Sequence, residues 1–372
     1  MKTEHQKENQ WILQMIRFRD YDPEQMERLQ GEKMDGPYVL GQLLYNRVGG
    51  AAYLTLKECG LLPRVHRELR NSLKDSYRMA RQKTEAFRKG LALLSEVFCG
   101  AGFPYAFLKG SVLAGMYPAG LRTSNDFDVL TAPGDVAACC QLLREHGFVQ
   151  GRYDQAGGII PATRQEIIHS RMNRGETVPF LLRSEYEGLD VIEVDVNFSL
   201  DFKAKHSEHT VEDILTETVP FPVLGGKSLQ TLGEEDFLIQ LCVHLYKEAA
   251  VYNWVRMGRD LSLYKFLDLY LYLLEKGNAA FFGRLLERIR GYGLEGACSY
   301  ALCGTAELFP GIRAEGLGDL LETLAPYAER EMDRVVRPEN KKVYRWLIPF
   351  PERVFCSGRE EYLRETDEEA AL

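Results

Sequence analysis

The chain has 372 residues, 45% apolar, 27% charged and 11% aromatic, a composition that suits a folded protein of two or more domains. Its 46 basic and 54 acidic residues give a formal charge of −8, which argues against long nucleic acid as a partner. The eight cysteines form no CxxC pair, so zinc-ribbon and thioredoxin-like readings find no support. The polar start "MKTEHQKENQW" is no signal peptide and no apolar run reaches bilayer length. A cytoplasmic protein with reduced thiols and no membrane partner is the expectation.

In chain order, residues 1–100 predict an N-terminal helical segment. "DPEQMERLQGEKM" opens on an Asp-Pro start signal, and "SLKDSYRMARQKTEAFRKGLALLSEVFCGAG" spaces Tyr77, Ala80, Phe87, Leu91, Leu94 and Phe98 at helical intervals. Residues 101–228 mix strands with helices. "FPYAFLKG" is a short strand, "SVLAGMY" a helix start, "DFDVLT" a second strand and "DVAACCQLLREHGF" an amphipathic helix closed by Gly147. "FVQGRYDQAGG", "IIHSRMNRG" and "TVPFLLRSEYEG" suggest further strands, and "LDVIEVDVNFSL" is a clear one. Residues 229–372 predict a C-terminal helical domain, with an acidic first turn at Gly233–Asp236 and a buried helix in "DLSLYKFLDLYLYLLEKG". The acidic end "SGREEYLRETDEEAAL" is expected to fray. The fold class that follows is α+β: a mixed sheet flanked by N-terminal helices and a C-terminal helical bundle.

Two strands carry acids between apolar residues. Asp126 and Asp128 alternate with Phe127 and Val129, and Asp195 stands between Val194 and Val196. Alternation puts Asp126 and Asp128 on one face, about 7 Å apart along the backbone. Like charges this close need a compensating cation. If the two strands are neighbours, the three acids converge on a hard-oxygen site suited to Mg²⁺ with substrate phosphates. Gly110 and Ser111, at the start of a helix, and the cations Lys109 and Arg122 are candidates to cradle a triphosphate. Each motif alone reads as an N-cap or a solvated strand face; their order along the chain favours a site.

The run "FLKGSVLAGMYPAGLRTSNDFDVL" resembles the uncharacterised nucleotidyltransferase family of bacteria, within the DNA polymerase β-like nucleotidyltransferase superfamily. The likeness lies in Leu108-Lys109-Gly110, Tyr117-Pro118, Leu121-Arg122 and Asp126-Phe127-Asp128-Val129-Leu130. It extends over residues 30–275, with Asn197 and Phe198 standing where the family has His and Trp. The spacing from Ser111 to Asp126 is longer than is usual in the superfamily and is shared with the closer family. The resemblance implies a polymerase β-like core and transfer of a nucleoside monophosphate from a nucleoside triphosphate with Mg²⁺. In that scheme Asp126, Asp128 and Asp195 are catalytic and metal-binding, and Lys109, Gly110, Ser111 and Arg122 bind the nucleotide. The acceptor, a small molecule or a protein, is not given. The alternative of another class is a non-catalytic nucleotide-binding or antitoxin-like regulatory protein of the same fold, with a protein partner.

Glu193 shares the face of Asp195 and reads either as a fourth acid or general base, or as a rim carboxylate. His244 lies near the apolar face of its helix and reads as a core histidine. Asp268, in "KFLDLYLY", needs a partner if buried, with Arg256, Arg259 and Lys265 as candidates.

Overall fold

The computed structural model describes residues 5–154, 156, 158–200 and 208–370. The chain divides into two compact units, one formed by 79–240 and the other by 1–78 together with 241–372. The divisions fall inside two helices, Arg67–Val97 and Glu234–Ala249, rather than at 100/101 and 228/229. No helix among the described residues is long and apolar enough to cross a membrane.

The 79–240 unit is built on an eight-stranded mixed sheet, in agreement with the expected α+β class. In chain order its strands are β1 (Tyr105–Phe107), β2 (Phe127–Thr131), β3 (Val149–Asp154), β4 (Gly158–Pro161), β5 (Phe180–Tyr186), β6 (Leu189–Asn197), β7 (Val219–Pro222) and β8 (Ser228–Thr231). Their order in the sheet is β4-β3-β5-β6-β2-β1-β8-β7. β2 runs parallel to β6 and β1 parallel to β8, while the other pairs are antiparallel. Alternation along the central strands separates two faces. Phe127 and Val129 of β2 and Val194 and Val196 of β6 join Phe87, Leu91 and Leu94 of the long helix and Cys139 and Leu143 of helix Val136–Glu145 in one apolar core. The intervening residues, Asp128, Glu193, Asp195 and Asn197, belong to the opposite face.

One expected strand is a helix. "IIHSRMNRG" lies within or just after helix Arg164–Asn173. Thr163 caps it: its hydroxyl accepts from Glu166 N–H, while Glu166 accepts from Thr163 N–H at 2.7 Å. This reciprocal cap outweighs the strand preference of Ile167-Ile168.

The other unit is mainly helical. Its first segment holds helices Gln6–Ile16, Pro23–Gln30, Gly36–Tyr45 and Gly49–Glu58; its second holds Leu263–Lys276, Ala279–Tyr292, Glu295–Leu308 and Leu317–Glu331. The Asp22-Pro23 start works as read, with the Asp22 carboxylate accepting from the N–H groups of Glu24 and Gln25 at 3.0 Å. The C-terminal half also contains strands that were not expected: β9 (Arg334–Arg337), β10 (Lys342–Trp346) and β11 (Leu363–Glu369) form an antiparallel sheet. Of the acidic tail expected to fray, Leu363–Glu369 is the edge strand β11, and 371–372 lie outside the described residues. That strand is held by register against β10 and by ion pairs of Lys342 with Glu365 and of Arg345 with Glu368.

Candidate active site

The site begins where β1 ends. Leu108 N–H donates to Asp128 O at 3.0 Å, keeping the chain beside β2 for one more residue. Lys109 then turns sharply, with φ 46° and ψ −117°, and helix Gly110–Met116 starts. That backbone is costly for a residue with a Cβ. It is matched by an ion pair: Lys109 Nζ donates to Asp128 Oδ1 at 2.8 Å.

The parallel register of β2 and β6 sets Asp128 directly beside Asp195, and Leu130 beside Asn197. Asp126, two residues before Asp128, feels the Asp128 charge, and Glu193 feels both Asp126 and Asp128. Asp128 and Asp195 are thus neighbours across the two strands, with Asp126 and Glu193 within electrostatic reach of Asp128. Burial raises the Asp126 carboxyl above its ordinary value, and the Asp128 charge raises it further, against the lowering effects of Lys109 and Arg122. Asp195 is pushed well up, by burial first and then by Asp128, Asp126, Glu176 and Glu193. Glu193 is raised by burial and by Asp126 and Asp128. For Lys109, burial acts to lower the ammonium, but Asp128, Asp126 and Asp195 together outweigh it and hold it above the usual lysine value. The result is a cluster of carboxyls in which burial and mutual repulsion resist ionisation, with Lys109 and Arg122 acting against that on Asp126.

Gly110 is required by packing. A Cβ at this position would overlap the Ser124 side chain, so glycine lets the loop 122–124 close over the helix start. Arg122 belongs to that loop; its guanidinium donates to Thr123 O and, at 2.9 Å, to Ser124 Oγ. The loop is tied to the long helix by Thr84 Oγ1 donating to Arg122 O at 3.0 Å. Ser111 is 1% exposed, and its hydroxyl has no hydrogen-bond partner. The N–H groups of Ser111 and Val112 already donate to Leu108 O and Lys109 O.

Three neighbours of the cluster were not named as site residues. Asn197 Nδ2 donates to Asp128 Oδ1 at 3.3 Å and to Asp195 O at 3.1 Å. Period-two alternation from Asp195, which also selects Glu193, could have found it. Glu176 bridges to Asn197 by backbone pairing and forms an ion pair with Arg174 at 2.7 Å. Ser124 is the third. Sequence carries no signal for these last two, since both reach the site through tertiary contacts.

Among the described residues, no group of three or more His, Cys, Asp and Glu is arranged to hold a metal ion as the side chains stand. His244 and Asp268 lie in the other unit. His244 Nε2 stands 3.5 Å from Glu248 Oε1, Glu248 also pairs with Lys265, and Asp268 is buried.

Among solved structures, the chain resembles the crystal structure of an antigenic nucleotidyltransferase-like protein from Paracoccidioides brasiliensis. The two share 14% identity over 64% of this chain and 93% of that one, with a TM-score of 0.38. No curated protein matches the chain. The sequence profile of the uncharacterised nucleotidyltransferases matches residues 33–310, a span that contains every residue of the carboxylate cluster, and the chain belongs to that family.

Proposed function

We propose that the cluster on β2 and β6 is the active centre of a Mg²⁺-dependent nucleotidyltransferase. It would move a nucleoside monophosphate from a nucleoside triphosphate to an acceptor hydroxyl or phosphate. The observation that carries this reading is the parallel register placing Asp128 beside Asp195, with Asp126 next along the same face and Lys109 on Asp128. The donor set fits the metal: buried, mutually repelling carboxylate oxygens are hard ligands that a dication would relieve.

Asp126, Asp128 and Asp195 would hold the metal, with Glu193 beside them as a further acid. Bound there, Mg²⁺ supplies charge neutralisation for the triphosphate and the leaving pyrophosphate. Lys109, released from Asp128, and Arg122 would bind phosphate oxygens, as would the unpartnered Ser111 hydroxyl. Gly110 would serve by admitting the loop that carries Arg122. Asp195 would take the acceptor's proton. Positioning and charge, rather than covalent chemistry by the protein, would carry the rate.

The test is a thermal-shift series with ATP, GTP, CTP and UTP, with and without Mg²⁺, on the wild type and on Asp126→Ala/Asp128→Ala. A nucleotide at 100 times its Kd should stabilise the wild type by about 2.7 kcal/mol, only with Mg²⁺, and leave the variant unmoved. Transfer of label from the α-phosphate to a product should fall at least about 100-fold in Asp128→Asn, since even outer-shell partners of a metal site are worth 10–100-fold. Nucleotide binding that survives without any labelled product would favour the regulatory alternative.

A further inference from the structure

The sheet row that holds Asp128 and Asp195 continues outward across the neighbouring strands. β5 pairs with β6 so that Leu181 faces Glu193 and Phe180 faces Val194; between that pair and the Glu176–Asn197 bridge, Val178 and Pro179 together stand opposite Asp195. Gly151 N–H donates to Pro179 O at 2.9 Å, and Gly151 stands opposite Pro161 across β3 and β4. The alternate residues mark the other face: Phe180 is in the helix-covered core, and Gln150 Oε1 accepts from Arg144 of helix Val136–Glu145 at 3.1 Å. Pro179 and Gly151 therefore belong to the carboxylate face. Gly151 packs flush against β4, where a Cβ would overlap Ile160 O, and with Pro179 it forms a floor.

That floor lines a cavity of about 720 Å³, within the range of small-molecule sites. Its wall carries two arginines, Arg152 and Arg174, and one carboxylate, Glu166, which accepts from the Thr163 N–H and hydroxyl at its helix cap. A contact path joins wall and cluster: Arg174 pairs with Glu176, Glu176 bridges to Asn197, and Asn197 donates to Asp128. In a chain of net charge −8, a cavity walled this way beside an acidic cluster selects for a ligand with two unlike ends.

We propose that this cavity is the acceptor subsite, and that the acceptor is a small molecule joining a nucleophilic hydroxyl to a phosphate or carboxylate held by Arg152 and Arg174. The inference rests on the transfer reading above. The acceptor oxygen forms its bond to the α-phosphorus, the bond from that phosphorus to pyrophosphate breaks, and pyrophosphate leaves with the electron pair. The hydroxyl proton passes to Asp195.

Isothermal titration of the full chain with glycerol 3-phosphate, 3-hydroxybutyrate and neutral glycerol tests it, alongside Mg²⁺-nucleotide binding. The expected result is saturable binding of at least one anion and none of glycerol. That affinity should weaken about tenfold or more, about 1.4 kcal/mol, in Arg152→Ala and in Arg152→Ala/Arg174→Ala, both checked for fold by circular dichroism. Nucleotide binding should be unchanged in these variants and lost in Asp126→Ala/Asp128→Ala. Anion affinity that is unaltered in both arginine variants, equal binding of glycerol, or no saturable anion binding to the folded wild type would overturn the subsite while leaving the nucleotide reading intact. Anion binding in a protein that binds no nucleotide would overturn the transfer reading, and the acceptor role with it. Phosphate preferred over carboxylate, or the reverse, names which anion the subsite takes.

Discussion

Lys109 combines two costs at one residue: a left-handed backbone and a buried ammonium. Its φ of 46° and ψ of −117° suit glycine, and a residue with a Cβ held there costs on the order of 1–3 kcal/mol. The conformation persists because the Leu108 N–H is fixed on β2 and the side chain is fixed on Asp128, so both ends of the residue are determined. Two substitutions separate the costs. Lys109→Ala removes the ammonium and keeps the strain; Lys109→Gly removes both. Lys109→Gly should therefore be the more stable of the two by about 1–2 kcal/mol in urea unfolding, after allowing for the extra unfolded-state freedom of glycine. Equal stability of the two variants would mean that the turn stores no strain. At this scale, Asp126, Asp128 and Asp195 were legible because acids between apolar residues stand out in an alternating strand. Ser124 and Glu176 were not, because loop closure and an isolated bridge bring them in.

Among elements, the long helix Arg67–Val97 sets where β2 lies. Gly90 lets the helix approach so closely that a Cβ there would come within 2.6 Å of Phe127 Cζ. Phe127 stacks on Phe87 with ring centroids 4.1 Å apart and is fully buried, and its two neighbours in sequence are Asp126 and Asp128. The contact thus fixes the strand that carries Asp128 and starts just after Asp126. Gly90→Ala should destabilise the protein by about 1–3 kcal/mol from overpacking, although alanine is the better helix former by about 1 kcal/mol. In a Phe127→Leu background the clash is gone, and Gly90→Ala should become neutral or stabilising. A cost that persists in that background would place the strain elsewhere than on Phe127. Elements with one dominant local signal were readable: the Asp22-Pro23 cap, the alternation of β2 and β6, the glycine stops. Helix Arg164–Asn173 was missed because β-branched residues outweighed its Thr163–Glu166 cap in the reading. The sheet β9–β11 was missed because its strands are short and interrupted by charges, although Val335, Tyr344 and Trp346 bury themselves in a small apolar cluster with Val255.

At the scale of the whole chain, the 79–240 unit lies in sequence between the two segments of the other unit. Among the described residues, the apolar cluster beneath its sheet is drawn from residues 86–229. The other unit must join residues more than two hundred positions apart, and it does so with specific polar contacts. Asn46, fully buried, accepts the Leu263 N–H at its Oδ1 at 2.9 Å and donates to Gln42 O at 3.0 Å. The Tyr45 hydroxyl donates to Gly258 O at 2.8 Å, and Gln42 to Phe355 O at 3.0 Å. Asn46 thereby caps the first turn of helix Leu263–Lys276 from a segment synthesised long before it. No local pattern in "LLYNRVGG" signals that role, because its partner appears only in the fold. Asn46→Ala leaves a buried N–H without an acceptor, for a cost of about 1–3 kcal/mol. The same substitution at Gln42, whose amide bonds a carbonyl in a partly buried position, should cost about 1 kcal/mol or less. Denaturant unfolding of both variants, followed by tryptophan fluorescence, checks the ranking. If Gln42→Ala proves the more costly, the tie between the two segments runs through Phe355 rather than through the start of helix Leu263–Lys276.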